Sequence, residues 1–256
     1  MSGCFVVTGS SRGVGLEICR LLLDRSYQVV GLSRTGGPLS GRRGFDWLGC
    51  DLASAEEVRR AAERIGELGR EDIEGLVFNA ASAHYGDALE MAPEDFDRMV
   101  AQNLTNQFLL LKLLAPRLRE RAEVFYVSTS ASRIPAPMMA AYAATKAAFE
   151  FFIQSVAMER GFRVHIVRPA EIDTDFCRTA GVPPEAEAAS RKLSPRKVAQ
   201  EVVSMLGSNQ VFRNVGLRAK LIDVMVRTWP SLLLKRPSSH LGSRMQKGDK
   251  ESTSDA

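Results

Sequence analysis

The chain has 256 residues, of which 45% are hydrophobic and 25% are charged. This composition is typical of a soluble globular protein, and the length suits one large α/β domain. The formal charge of +4 is too small to imply a nucleic-acid partner, although the basic residues concentrate after residue 212.

Targeting, membrane and metal signals are not apparent in the sequence. The amino-terminal segment lacks the basic region of a signal peptide, and no uninterrupted apolar run reaches the roughly 20 residues of a membrane span. We therefore expect a cytoplasmic protein. The four cysteines contain no CxxC pair and the three histidines are widely separated, so we expect core cysteines and no metal site.

Short apolar runs alternate with longer amphipathic segments, which is the pattern of a parallel sheet with crossover helices. Strands are predicted at 4–8, 27–33, 73–81, 122–129 and 162–170, with a short third strand that begins at 44 and ends near Cys50. Helices are predicted at 14–26, 54–68, 93–119, 138–159 and 194–208. The pattern predicts a doubly wound parallel sheet of at least six strands, a three-layer αβα Rossmann fold in a single domain.

The chain is expected to divide into a main α/β domain, residues 1–212, and a carboxyl-terminal extension. Residues 213–236 would form an amphipathic extension, and the polar segment 237–256 would be disordered.

Apolar residues recur at helical spacing within the extension, at Leu217, Leu221, Val224, Met225 and Thr228, with basic residues between them. Such a helix can lie at an anionic membrane surface. The alternatives are a helix that packs on the body of the protein, covers the substrate cleft or completes an oligomer.

The segment TGSSRGVG (8–15) lies between the first predicted strand and the first predicted helix. Gly9, Gly13 and Gly15 permit a tight turn and a close approach of the backbone to a pyrophosphate. The helix amino terminus adds amide donors and the positive end of a dipole. The segment therefore predicts a dinucleotide site.

The end of the second strand indicates which dinucleotide binds. A carboxylate there would bind the ribose 2′-hydroxyl and repel a 2′-phosphate. The sequence has Ser33 and Arg34 instead, and Arg12 adds a cation inside the glycine turn. Because a guanidinium can bind a phosphate bidentately, we predict NADP(H).

Tyr142 and Lys146 are four residues apart in a predicted helix, so they share one face. A nearby ammonium would stabilise the phenolate and lower the pKa of the tyrosine toward neutrality. YxxxK alone is common by chance, but together with the glycine turn and Asn103 the pair indicates acid–base chemistry.

TGxxxGxG followed by YxxxK resembles the short-chain dehydrogenase/reductase family, and the resemblance extends over residues 3–210. Further segments match the family in order: GCDL (49–52), FNAA (78–81), AQNLTN (101–106) and RPAEIDT (168–174). The chain departs from the family pattern at Phe78, Ala81 and Ala170.

The resemblance implies that residues 1–212 form a dinucleotide-binding catalytic domain with a substrate lid at 173–194. It also implies hydride transfer between a nicotinamide and a carbonyl carbon, with Tyr142 protonating the oxygen. Lys146 would also bind the nicotinamide ribose, and Asn103 would hold a water that relays protons. The cofactor contacts implied are Gly9, Ser11, Arg12, Gly13, Val14, Gly15, Ser33, Arg34, Asp51, Leu52, Asn79, Ala80, Ala81, Tyr142, Lys146, Pro169, Ala170, Ile172 and Thr174.

A hydroxyl at the end of the fifth strand would bond the same carbonyl oxygen. The family places it 13 positions before the tyrosine, which is Thr129 here. Ser128 and Ser130 would point to the opposite face of a regular strand, which favours Thr129. A one-residue bulge would present Ser130 or Ser128 instead.

The predicted substrate is a small molecule with a carbonyl or alcohol group. An apolar loop before Tyr142, which contains Pro135, Pro137, Met138 and Met139, favours an apolar substrate. Alternatives are an enzyme acting on C=N or C=C bonds, or a dinucleotide sensor or scaffold without turnover. By resemblance, the helices at 93–119 and 138–159 would pair with their copies in a homodimer or homotetramer.

Overall fold

A computed structural model describes residues 3–187 and 192–228. Parallel strands form one seven-stranded sheet in the order β3-β2-β1-β4-β5-β6-β7. The strands are β1 (Cys4–Thr8), β2 (Gln28–Ser33), β3 (Phe45–Gly49), β4 (Ile73–Phe78), β5 (Leu118–Val127), β6 (Arg163–Pro169) and β7 (Phe212–Val215). The predicted doubly wound parallel sheet is confirmed. Its strand order reverses beside β1, where such sheets place their ligand crevice.

Helices cover both faces of the sheet. They are α1 (Gly13–Asp24), α2 (Ala55–Glu67), α3 (Pro93–Val100), α4 (Asn106–Leu114), α5 (Ala140–Arg160), α6 (Phe176–Thr179), α7 (Pro184–Glu187), α8 (Pro195–Val203) and α9 (Leu217–Thr228). Helices α2, α4 and α5 contribute to the core on one face, and α1 and α8 contribute to the core on the other. This arrangement is the predicted three-layer architecture.

Apolar strands explain why both faces are covered. Every residue of β1 is buried, and side chains of β1 alternate between the two cores, with Val6 in one and Val7 in the other. A strand buried on both faces reads as a continuous apolar run rather than an alternating one. Cys4, Cys19 and Cys50 lie in these cores, and burial raises the pKa of each thiol.

The helix predicted at 93–119 is wrong in its extent. It ends in a short 3-10 turn at Ala115–Arg117, because Pro116 cannot continue the helical hydrogen bonding. Strand β5 then begins at Leu118, four residues before its predicted start. A π-helical turn, Ala101–Thr105, also interrupts the helix between α3 and α4.

Strand β7 is absent from the sequence prediction. It is a four-residue edge strand with only Val215 buried, so it has neither a long apolar run nor a clear alternation. It pairs with β6 from Ile166↔Phe212 to Pro169↔Val215. The strand crosses the boundary predicted between residues 212 and 213, which shows that the start of the extension belongs to the sheet.

Helix α9 presents its predicted apolar stripe to solvent. Leu217, Leu221, Val224 and Met225 are exposed, whereas Ala219 and Asp223 are buried. Within the described part of the chain, no helix is long and apolar enough to cross a membrane. Positions 188–191 of the predicted lid, 229–236 of the extension and the predicted tail lie outside the described residues.

Candidate active site

The glycine turn follows β1 and leads into α1. Gly9 and Gly13 have φ values of +71° and +57°, a region that favours glycine. A Cβ atom on Gly15 would lie 2.1 Å from the carbonyl oxygen of Gly9. The turn therefore requires glycine at these positions, and it leaves the backbone at the start of α1 open to close approach, as a pyrophosphate site needs.

Contacts with the end of β4 hold the glycine turn in place. The Thr8 hydroxyl accepts hydrogen bonds from the backbone N–H groups of Asn79 (2.9 Å) and Ala80 (3.1 Å). The Asn79 side-chain amide donates to the carbonyl oxygens of Thr8 (3.0 Å) and Gly9 (3.3 Å). These bonds join two segments whose motifs are about 70 residues apart in sequence.

The segment after β6 approaches the same turn from the other side. A Cβ atom on Gly13 would lie 3.3 Å from Cγ2 of Thr174, so the two residues are neighbours. Arg12 Nη1 lies 3.7 Å from Asp175 Oδ2, and both side chains are more than half exposed. Ile172 forms an isolated bridge with Leu193. The predicted cofactor segments at 8–15 and 168–174 are thus brought together.

The polar side chains at the ends of β2 and β3 differ in the hydrogen bonds that they form. Ser33 is buried; its hydroxyl donates to Thr35 O (2.8 Å) and accepts from Trp47 Nε1 (3.1 Å). Arg34 is exposed. The Asp51 carboxylate accepts from Arg98 Nη2 at 2.9 Å, which anchors it to α3.

The remaining cofactor candidates lie at the same carboxyl edge of the sheet and in the turns that follow it. They are Ser11 in the turn, Val14 at the start of α1, Leu52 after β3, Ala81 after β4, Pro169 at the end of β6 and Ala170 after it.

Tyr142 lies in the first turn of α5 and is 8% exposed. Its ring lies 5.4 Å from the ring of Phe176 in α6. Burial raises the pKa of Tyr142, and hydrogen bonding by the Thr129 side chain partly opposes this shift. At neutral pH the phenol therefore carries its proton.

Lys146 is buried one turn further along α5. Its Nζ donates to Val127 O at 2.8 Å and lies 4.3 Å from the centroid of the Tyr126 ring. Burial lowers the pKa of Lys146 to about 7, and the negative charge of Glu150 opposes this shift. The predicted lowering of the Tyr142 pKa is wrong for this arrangement, because burial dominates the pKa and the ammonium bonds the end of β5 instead.

Asn103 lies in the π-helical turn and is buried. Its Oδ1 accepts from Ser82 N (2.9 Å), and its Nδ2 donates to Ser82 O (2.8 Å) and Thr145 Oγ1 (3.1 Å). Thr145 lies between Tyr142 and Lys146 in the sequence of α5. Asn103 therefore contacts the helix that carries the predicted catalytic pair. π-helical turns often occur at functional sites.

The hydroxyls after β5 have separate environments. The strand ends at Val127, and Thr129 remains extended, with φ −152° and ψ 156°, as the cap of a short 3-10 turn, Ser130–Arg133. Ser128 and Ser132 both donate to Glu150, whereas the Thr129 side chain acts on Tyr142, where it opposes the effect of burial on the pKa. The predicted alternation therefore places Ser128 and Thr129 on different sides.

A buried ion pair lies beside the site and was missed by the sequence prediction. Arg168 Nη2 donates to Glu150 Oε2 at 2.6 Å, and Nε adds a bond of 3.0 Å. Glu150 also accepts from Ser128 and Ser132, so it ties α5 to the ends of β5 and β6. Removing one partner of such a pair typically costs about 3–5 kcal/mol. The sequence signal for this ion pair is Glu150 itself, a carboxylate within the apolar stretch AAFEFF (147–152).

Comparison with known proteins identifies the family of the chain. The sequence profile described as short chain dehydrogenase matches residues 4–182, and the chain belongs to the short-chain dehydrogenase family, whose members are oxidoreductases that bind a nicotinamide dinucleotide. The NADPH carbonyl reductase 2 of Sus scrofa is 30% identical over 213 residues, 79% of this chain and 85% of its own length.

Solved structures share the fold. A short-chain dehydrogenase from Burkholderia cenocepacia in complex with NADP aligns with a TM-score of 0.77 and 24% identity, covering 92% of this chain and 98% of its own. A 3-ketoacyl-(acyl-carrier-protein) reductase from Brucella melitensis complexed with NADH aligns with a TM-score of 0.73 and 21% identity, covering 85% and 98%. The fold therefore accompanies either dinucleotide.

Proposed function

We propose that the protein is an NADP(H)-dependent oxidoreductase that interconverts a ketone or aldehyde and the corresponding alcohol. The observation that carries this proposal is the buried phenol of Tyr142 together with the partly buried hydroxyl of Thr129 at the carboxyl edge of the sheet, where Thr129 opposes the effect of burial on the Tyr142 pKa. Two hydroxyls held together can bond one carbonyl oxygen, while the glycine turn holds the cofactor at the same edge.

The choice of NADP(H) rests on charge. Arg34 follows β2 and no carboxylate occupies that strand end, where an acidic residue would repel a 2′-phosphate. Arg12 adds a second cation from the glycine turn. Its long, exposed contact with Asp175 is a weak interaction that a phosphate would readily replace.

The bound nicotinamide would supply the hydride that adds to the carbonyl carbon. Thr129 would donate a hydrogen bond to the carbonyl oxygen, and Tyr142 would transfer its proton to that oxygen as negative charge develops there. Phe176 lies against the Tyr142 ring and would help to exclude water. Lys146, which titrates near neutral pH, would restore the proton to the phenol.

Replacement of Tyr142 by Phe tests this proposal. The variant keeps the ring and loses the proton donor, so we expect carbonyl reduction to fall by about a hundredfold or more. NADPH oxidation would be followed with a panel of aliphatic and aromatic ketones and aldehydes, with and without added apolar groups. NADPH affinity and the unfolding midpoint would be measured as controls. Reduction at the wild-type rate by the variant would contradict the proposal.

Two rival functions make different predictions in the same assays. An enzyme that acts on C=N or C=C bonds would reject the carbonyl panel and turn over imines or conjugated alkenes. A dinucleotide sensor or scaffold would bind NADPH with no turnover of any class. The Tyr142–Thr129 pair favours carbonyl chemistry over a sensor, because binding alone does not require a buried proton donor.

We further propose that the protein forms a homodimer or homotetramer through α4 and α5. Phe108 on α4 is 42% exposed, and Phe151 and Met158 on α5 are 76% and 90% exposed. Exposed apolar side chains on neighbouring helices are typical of interaction surfaces.

We also propose that α9 contacts anionic lipid. Leu217, Leu221 and Val224 are each more than half exposed, and basic residues flank the stripe that they form. The inward side of α9 carries Ala219 and Asp223, so the helix packs on the protein by its small and acidic side chains rather than by its large apolar ones.

A further inference from the structure

A cavity of about 560 Å³ lies at the carboxyl end of β3, between that strand, the residue after β2 and helix α2. Arginines line it from two elements: Arg34 from the end of β2, and Arg60 and Arg64 from α2. Arg60 and Arg64 are four residues apart, so they project from one helical face. The α2 pair lies outside every motif segment of the sequence prediction.

The carboxylates that line this cavity already accept hydrogen bonds from other residues. Asp51 Oδ2 accepts from Arg98 at 2.9 Å, and Oδ1 accepts from Ala53 N at 3.0 Å. Glu57 Oε2 accepts from Asp51 N at 2.8 Å. Because these bonds hold both carboxylates in place, neither needs a guanidinium of the cavity as its partner.

By contrast, the guanidinium groups that line the cavity form only weak interactions with other residues of the described ranges. Arg34 forms no salt bridge with another residue in the described ranges 3–187 and 192–228. Arg60 Nη2 lies 3.8 Å from Glu56, and Arg64 Nε lies 3.3 Å from Glu67; in each pair both side chains are more than 60% exposed. Exposed pairs of this kind contribute little to stability, so the guanidinium groups can turn to an anion at small cost.

We propose that Arg60 and Arg64 of α2, together with Arg34, hold the 2′-phosphate of NADP(H). The inference rests on the proposed function, and it extends the phosphate site from the strand end to the helix. A guanidinium fork binds a phosphate bidentately, and the cavity volume lies within the range of about 300–1,000 Å³ typical of small-molecule sites. The arginines of α2 would then set the preference for NADP(H) over NAD(H).

The test measures dissociation constants of NADPH and NADH by calorimetry for wild type, Arg60→Gln and Arg64→Gln. Each substitution removes one charge-assisted contact with the phosphate, so we expect NADPH affinity to fall about tenfold, and further in the double variant. NADH affinity should stay within about twofold. Arg59→Gln is the matched control, because Arg59 has the same charge on the same helix but lines a different cavity.

The outcomes separate this inference from the function on which it rests. NADPH preference that is unchanged in both variants, or changed equally in Arg59→Gln, would overturn the role of α2 and leave the proposed function intact. An equal loss of NADPH and NADH affinity would overturn the phosphate assignment. Wild-type protein that binds NADPH no better than NADH would overturn the NADP(H) proposal and this inference with it.

Discussion

At the scale of single residues, the structure separates hydroxyls that are crowded in the sequence. Glu150 accepts hydrogen bonds from Ser128 and Ser132, while Thr129 acts on Tyr142 and opposes the effect of burial on its pKa. Ser130 begins the 3-10 turn that follows. These contacts support our proposal that Thr129, rather than Ser130, polarises the carbonyl.

The assignment predicts different effects for two conservative substitutions. Thr129→Val keeps the shape and removes the donor, so we expect kcat for carbonyl reduction to fall by about a hundredfold. Ser130→Ala should change kcat by less than about threefold, and Thr129→Ser should retain most activity. Steady-state rates at saturating NADPH distinguish Thr129 from Ser130 as the hydroxyl that polarises the carbonyl. A larger loss in Ser130→Ala than in Thr129→Val would reverse the assignment.

At the scale of elements, helix α5 presents two different faces. Tyr142, Lys146 and Glu150 recur every four residues on the buried face, which positions them against the ends of β5 and β6. Phe151 and Met158 are seven residues apart and exposed. A helix that is apolar on its outer face as well is expected to be covered by another copy or chain.

A charge on the outer face of α5 should dissociate the proposed oligomer. A buried, unpaired carboxylate is strongly unfavourable in an interface, so Phe151→Glu is expected to reduce the mass of the particle to that of a smaller assembly or a monomer. Size-exclusion chromatography with light scattering measures this mass. Leu89→Glu is the control, because Leu89 is 96% exposed in a loop. The same mass in both variants would exclude α5 from the interface.

At the scale of the whole molecule, β7 changes how the carboxyl-terminal segment must be tested. Truncation after residue 212 would remove most of a strand that pairs with β6, so loss of lipid binding would be confounded by damage to the sheet. Polar substitutions on the exposed stripe of α9 leave β7 in place.

The triple variant Leu217→Gln, Leu221→Gln, Val224→Gln is expected to lose binding to lipid. Burying an aliphatic side chain contributes about 1.5–3 kcal/mol, so we expect vesicle affinity to fall at least about tenfold. Co-sedimentation with vesicles of phosphatidylserine and phosphatidylcholine measures it, with Leu89→Gln as the control. Equal sedimentation of the triple variant and wild type, or none by wild type, would rule out this surface as a lipid contact.

Features that lie in contiguous sequence were predictable. Apolar runs determine β1, β2 and β4, because a strand buried on both faces needs successive apolar residues. Three glycines after a strand determine the turn, and the spacing of Tyr142 and Lys146 determines their common helical face. The family and its class of chemistry follow from the order of these local motifs.

Features that join distant segments depended on the tertiary structure. The contacts of Glu150 with Arg168, and of Thr129 with Tyr142, arise from the packing of α5 against the ends of β5 and β6. The direction of the Tyr142 pKa shift follows from burial, which YxxxK does not encode. The arginine-lined cavity requires α2 to pack beside the end of β2. Sequence spacing specifies which side chains one element presents, whereas packing between elements decides which of them meet and how far water is excluded.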